Sequence, residues 1–129
     1  MAGRVDRLKR LLKVQEQLKA VHEMRHAGMV KAANAAGAEA DEIAARKQDE
    51  GSLSTLFPDV FDRGMTRALA RRDTNLAAAA AEAGRLATET VRTQRIADDY
   101  REARREAERA EEEREGLEAA VRMKARPRG

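Results

Sequence analysis

Cysteine, tryptophan and long hydrophobic runs are missing from this sequence of 129 residues, and each absence excludes a class of protein. Without cysteine the chain can form no disulfide framework, no thiolate zinc site and no catalytic thiol. Aromatic residues are limited to one tyrosine and two phenylalanines, so a thick globular core is not expected. Neither a signal-peptide apolar region nor a transmembrane span can be recognised. These features predict a soluble, cytoplasmic protein.

The residues that are present favour long helices with an uneven distribution of charge. Charged residues make up 38% of the chain, and the abundance of Ala, Glu, Lys, Leu and Arg is typical of coiled coils. Low hydropathy would also fit a disordered chain, but the near balance of charges and the regular apolar spacing favour helices. Both termini are basic and the middle is acidic, so an antiparallel hairpin would have a basic open end and an acidic tip.

A cluster of helix-breaking residues separates two long stretches that contain few such residues. It begins at Gly51, ends near Pro58 and Asp59, and includes paired hydroxyls. We therefore predict an all-α fold, a long antiparallel two-helix coiled-coil hairpin formed as a single domain. The predicted elements are a helix over about 4–50, a turn over about 51–59 and a helix over about 60–125.

Apolar residues recur at coiled-coil spacing and predict the seam, the row of residues through which each helix faces the other. In the first helix Leu11, Val14, Leu18 and Val21 step by three and four residues. After an interruption at Arg25 the pattern resumes in a shifted frame, as a stutter would cause. Alanine pairs with alanine in the middle, so the hairpin should bury little area. The predicted seam of the second helix is Met65, Leu69, Leu76, Ala79, Ala83, Leu86, Thr90, Ala97 and Tyr100.

The second predicted helix is longer than the first and should extend beyond it. At about 1.5 Å per residue the two helices would be roughly 70 and 99 Å long. The overhang carries Leu117, Val121 and Met123 without a partner in the same hairpin. Two interpretations are open, a docking stripe for another protein or a fraying helix end.

No constellation of residues predicts catalysis, a cofactor or a metal site. His22 and His26 lie one helical turn apart near Glu23, but the remaining ligands of a zinc site are missing. The glutamates between Glu111 and Glu115 point to different faces of a helix, which is typical of a solvated surface. Phosphate-binding loops and nucleophile elbows cannot be recognised. Without aromatic residues among the basic ones, nucleic-acid binding is not expected either, nor is a small-molecule substrate.

The tip of the predicted hairpin concentrates the larger apolar side chains. Leu53, Leu56, Phe57 and Phe61 lie within or beside the turn. Exposed apolar groups often mark binding surfaces, but the same residues could cap the core of the hairpin. The sequence leaves both interpretations open.

Two segments near the termini resemble the FliJ family of flagellar export proteins. They are residues 7–16, RLKRLLKVQE, and residues 115–127, EGLEAAVRMKARP, joined by a helical pair rich in alanine and charge. The resemblance implies a nonenzymatic, cytoplasmic coiled coil that serves type III protein export. It implies as partners the export ATPase, whose ring such proteins enter as a stalk, the export-gate membrane protein and substrate chaperones. Those partners would bring the protein to the periphery of the inner membrane.

The resemblance also implies where these partners bind. The contacts would draw on the open end, where the start of the first helix meets the end of the second. The implied residues are Arg7, Leu8, Arg10, Leu11, Leu12, Leu117, Val121, Arg122 and Lys124. Two other functions remain open from the residues alone. One is a regulator that inserts its acidic tip into the channel of a nucleic-acid enzyme, and the other is a structural coiled coil that self-associates through exposed seams.

Overall fold

The computed structural model describes residues 3–49, 51 and 53–126, and all regular structure in these ranges is helical. Helix α1 spans Arg4–Gln48 and helix α2 spans Pro58–Ala125, with a short 3-10 helix at Leu53–Thr55 between them. The two long helices run antiparallel and pack against each other, with cross-helix ion pairs such as Arg71 to Glu39. The predicted all-α hairpin is therefore confirmed.

The connection between the helices lies where the helix-breaking residues predicted a turn. Gly51 has a φ of 86°, a left-handed conformation that glycine adopts without steric cost. The amides of Leu56 and Phe57 then donate to the carbonyl of Leu53 at 3.1 and 2.9 Å. Pro58 is the first residue of α2, where its missing N–H is not needed. Helix α2 thus begins two residues earlier than predicted, and the predicted end of α1 at Glu50 lies outside the described residues.

The chain divides into two compact units. The turn unit is Leu18–Glu89, and the terminal unit combines Met1–Gln17 with Thr90–Gly129. The buried apolar positions described in the turn unit are alanines, which let the helices approach closely but bury little apolar area, as the sequence predicted for the middle of the hairpin. These alanines are Ala33, Ala36, Ala40, Ala68 and Ala79.

Larger side chains form the core of the terminal unit. Leu8, Leu12 and Tyr100 are half-buried there, and Ala103 is buried. The Arg104 guanidinium lies 6.0 Å from the centroid of the Tyr100 ring, a cation–π contact.

Over the first half of α1 the seam lies on a different face from the predicted one, whereas the predicted Met29, Ala36, Ala40 and Ile43 do belong to it. Leu11, Val14, Leu18 and Val21 are 49, 60, 42 and 41% exposed, so they do not face α2. The closely packed alanines of α1 fix the face that meets α2. Stepping from them toward the N-terminus by alternating three and four residues places polar residues, such as His22 and Gln15, on that face. Within the described part of α1 this frame is unbroken, so the predicted stutter is wrong. The observed seam is Val5, Leu8, Leu12, Gln15, Lys19, His22, His26, Met29, Ala33, Ala36, Ala40 and Ile43.

The seam of α2 agrees with the prediction in part. Met65, Ala79, Leu86 and Tyr100 are half-buried or buried, as are the predicted polar interruptions Arg72 and Thr93. Leu69 and Ala97 are half-buried as well, but three predicted positions are exposed because the frame again follows the buried alanines, not the largest apolar residues. The exposed ones are Leu76, Ala83 and Thr90.

A glycine inside α1 offers a direct test of helix propensity. No atom lies within 4 Å of the position that a Cβ of Gly28 would take. Gly28→Ala should therefore stabilise the protein by about 1 kcal/mol, because alanine loses less backbone entropy in a helix. Urea unfolding followed by circular dichroism measures the change.

Gly51→Ala is the matched control, with the opposite expected sign. Its φ of 86° costs an L-residue roughly 1–2 kcal/mol, so this variant should be less stable than the wild type. Stabilisation by both substitutions would contradict the assignment of Gly51 to the turn.

Candidate partner-binding site

In the terminal unit, α2 continues past the start of α1. Arg4, the first residue of α1, has Nη1 at 3.7 Å from Oε2 of Glu106. Ala103 is the last buried position in the described part of α2, and residues 104–126 are all exposed. We call residues 107–125 the extension, which is about 28 Å long at 1.5 Å per residue. The predicted overhang is confirmed.

Ion pairs between neighbouring turns of α2 lie in and beside the extension. Arg104 Nε lies 3.7 Å from Glu108 Oε1, and Arg114 Nη2 donates to Glu111 Oε1 at 2.6 Å. The hydrogen bond to Glu111 raises the pKa of Arg114 above its ordinary value. Such neighbouring pairs stabilise a solvated helix by about 0.2–0.5 kcal/mol each. Among these charges Leu117, Val121 and Met123 remain exposed.

The structure separates the two halves of the predicted binding site. Leu8 and Leu12 are half-buried in the seam, whereas Arg7, Arg10 and Leu11 are exposed on α1. The other predicted residues lie on the extension, where Leu117 is roughly 17 Å farther along α2 than Glu106. The expectation that the two sets meet within one chain is therefore wrong, because the second set lies beyond the first residue of α1. That second set is Leu117, Val121, Arg122 and Lys124.

The face of α1 beside the seam carries an exposed apolar row, which we call the outer stripe. It consists of Leu11, Val14, Leu18 and Val21, and the same spacing leads to Arg7 before it and Arg25 after it. Apolar residues at heptad spacing are suited to packing against another helix. The predicted contact of these residues with α2 is wrong, because all four are exposed on the described helix.

A buried carboxylate lies in the seam of the turn unit. The Glu82 side chain is 3% exposed, and its Oε2 lies 2.8 Å from His22 Nδ1. Its Oε1 accepts a hydrogen bond from Arg85 Nη1 at 2.8 Å. The hydrogen bond with His22, assisted by Arg85, lowers the pKa of Glu82 in spite of burial. Glu82 was not among the residues predicted for the seam, although its spacing from the buried Ala79 and Glu89 is that of a heptad.

Both histidines lie in the seam between the two helices. His22 pairs with Glu82, and His26 is half-buried at the next position of the seam. Across the described residues, no group of three or more His, Cys, Asp or Glu side chains is placed to hold a metal ion.

The larger apolar residues at the tip differ in their exposure. Phe61 is half-buried and begins the seam of α2, whereas Leu53, Leu56 and Phe57 are exposed. Acidic Asp62 accepts a hydrogen bond from Lys47 at 2.7 Å, so part of the tip's negative charge is paired.

Across the described residues, neither long helix contains an apolar stretch sufficient to cross a bilayer. No family model, curated protein or solved structure matches this chain. The assignment of a function therefore depends on the sequence resemblance and on the geometry described above.

Proposed function

We propose that this protein is a nonenzymatic component of a flagellar or related type III export apparatus. In this role it is a stalk-like coiled coil of the cytoplasm that engages the export ATPase ring and the export gate and assists chaperone escort. The supporting observation is the extension, a single exposed helix that ends in basic residues. A single helix with its side chains is about 10–12 Å wide, so it can enter an opening that would exclude a pair of helices.

The chemistry of the extension suits a partner with several equivalent subunits. Arg122 and Lys124 lie in the last turn of α2. Val121 directly precedes Arg122, Leu117 lies about one turn earlier, and both are exposed. Charged side chains at the rim of an interface favour fast association and orient the partners without one deep pocket. An acidic opening in an ATPase ring or on a gate protein would complement the basic last turn of this segment.

The test is charge reversal on the extension, measured as binding to the export ATPase encoded in the same genome. Arg122→Glu with Lys124→Glu should weaken binding by about tenfold or more, since loss of about 1.4 kcal/mol corresponds to a factor of ten. Biolayer interferometry gives the affinity, and the ATPase rate with its oligomeric state gives the functional effect.

Charge reversal at the tip provides the matched control. Asp59→Lys with Asp62→Lys also changes the charge by four units but lies at the other end of α2, and it should leave ATPase binding unchanged. A wild-type protein that neither binds the ATPase nor alters its assembly would refute the proposal. Greater loss of function from the tip variant would instead favour the acidic-tip regulator.

A further inference from the structure

We propose that two copies of this chain form a dimer in which the extension of each copy packs along the outer stripe of the other. The inference concerns self-association of the purified protein and does not depend on a role in export, for which the dimer would have to dissociate before the extension meets another partner. Each copy would contribute one apolar helix face that its own hairpin leaves exposed. Four observations lead to this pairing: spacing, length, charge and symmetry.

The extension continues the seam of α2 after α1 has ended. From Ala103 the same steps of three and four residues reach Ala107, Ala110, Arg114, Leu117 and Val121. All five are exposed, because α1 begins beside Glu106. The extension therefore presents a coiled-coil face that no other helix in the described part of the chain covers.

The outer stripe has the same spacing as this face. When the two helices are aligned in parallel with Leu117 beside Val14, Val121 falls beside Leu18 and Arg114 falls beside Leu11. Both helices step by four and three residues through this interval, so the match persists over successive turns, as knobs-into-holes packing requires.

The lengths of the two surfaces also agree. In this alignment the start of the extension lies level with Arg4, the first residue of α1. Its end at Ala125 lies level with His22, next to the last residue of the outer stripe. The extension thus covers the whole apolar row.

Charge favours packing of the extension, and not of a second outer stripe, against the outer stripe. The extension carries Glu111, Glu113 and Glu118, whereas the start of α1 carries Arg7 and Arg10. The alignment places Arg10 level with Glu113 and Arg7 within a turn of Glu111, so opposite charges meet. Two outer stripes packed together would bring Arg7 against Arg7 or against Arg25, and like charges at an interface are unfavourable.

The pairing is reciprocal, so two copies form a closed dimer and leave neither surface free for a third copy. Each chain offers one extension and one outer stripe, so a two-fold axis satisfies both surfaces in a dimer. Both copies then cover Leu11, Val14, Leu18 and Val21, which lie beside a seam that is polar at Gln15, Lys19 and His22. The arrangement gives the larger apolar residues of this part of α1 a packing partner.

Light scattering after size-exclusion chromatography tests the assembly. The wild type should elute as a species of roughly twice the 14.3 kDa chain mass. Val14→Glu and Leu117→Glu should each weaken the dimer by at least tenfold, so that both variants are monomers at micromolar concentration. Circular dichroism should show unchanged helicity in the variants, because both side chains are exposed in the single chain.

Val91→Glu is the matched control. Val91 is 62% exposed, close to the 60% of Val14, but it belongs to neither surface, so this variant should remain a dimer. A wild type that is monomeric at about 100 µM would overturn the proposal. Dissociation of Val91→Glu to the same extent as Val14→Glu would do so as well.

Disulfide trapping tests the alignment itself. The chain contains no cysteine, so Val14→Cys and Leu117→Cys introduce single thiols. Mixed and mildly oxidised, these variants should form the 14-to-117 disulfide, since a disulfide requires Cα atoms about 4.4–6.8 Å apart. Val91→Cys should not crosslink with Leu117→Cys. Preferential formation of the 14-to-14 disulfide would show that outer stripes pair with each other and would overturn the proposal.

Discussion

Ala68→Glu is expected to destabilise the protein by about 3 kcal/mol or more, because it places an unpaired charge at a buried position of α2. Ala68 is 0% exposed, and the buried positions of α1 in the same unit are also alanines, including Ala36 and Ala40. A buried charge without a partner costs roughly 3–5 kcal/mol. Thermal unfolding followed by circular dichroism at 222 nm should show a large loss in Tm.

The control for this substitution lies two residues away on the same helix. Ala70 is exposed, and glutamate is a good helix former, so Ala70→Glu should change stability by no more than about 0.5 kcal/mol. If both variants lost stability equally, the destabilisation would come from helix propensity or net charge, and the burial of Ala68 would be refuted.

Glu82→Gln should remove a stabilising interaction that disappears in acid. The pKa of Glu82 is lowered in the folded protein, first by its hydrogen bond with His22. A lowered carboxyl pKa stabilises the fold fully above the unfolded value of about 4.5, and this stabilisation is lost as the pH falls through the folded value. The wild type should exceed the variant in Tm by several degrees near pH 6, and the difference should shrink steadily below pH 4.5.

Glu16→Gln is the matched control for the acid series. Glu16 is an exposed glutamate of α1, so its replacement should leave the acid dependence of Tm close to that of the wild type. A difference between wild type and Glu82→Gln that stays constant from pH 6 to pH 3 would contradict the proposed role of the buried carboxylate. The lower Tm of Glu82→Gln would then be better explained by loss of a hydrogen bond that does not depend on ionisation.

The elements of the fold could be predicted because few residues decide them. The turn follows from Gly51 and Pro58, and the helices follow from long stretches without such residues. A hairpin is the simplest arrangement of two amphipathic helices joined by a short turn. The extension also follows, since the second stretch is longer than the first.

The face of α1 that meets α2 could not be predicted by choosing the most apolar residues. Two rows run along this helix, one with Leu11 and Val14 and the other with Leu12 and Gln15. Burial at Ala33, Ala36 and Ala40 decides between them, because close contact at alanine fixes the rotation of the helix about its axis. A hydrophobicity pattern alone gives alanine little weight, so it favoured the row that the structure leaves exposed.

Burial of Glu82 could not be predicted either, because it also depends on how the alanines pack. A glutamate at a seam position is expensive to bury without partners, and its partners come from the other helix and from the next turn. His22 lies sixty residues away in the chain, so its contact with Glu82 depends on the register of the hairpin. That register follows from packing of the alanines, which the sequence does not state directly.

Tyr100 gives the molecule a built-in optical reporter. It is the chain's one tyrosine, and tryptophan is absent, so ultraviolet emission arises almost entirely from this ring. The ring is half-buried in the terminal unit near the Arg104 guanidinium. Its quantum yield therefore follows the packing of that unit, whereas the far-ultraviolet signal averages over both helices. Loosening of the terminal unit can thus be followed separately from loss of helix in the whole chain.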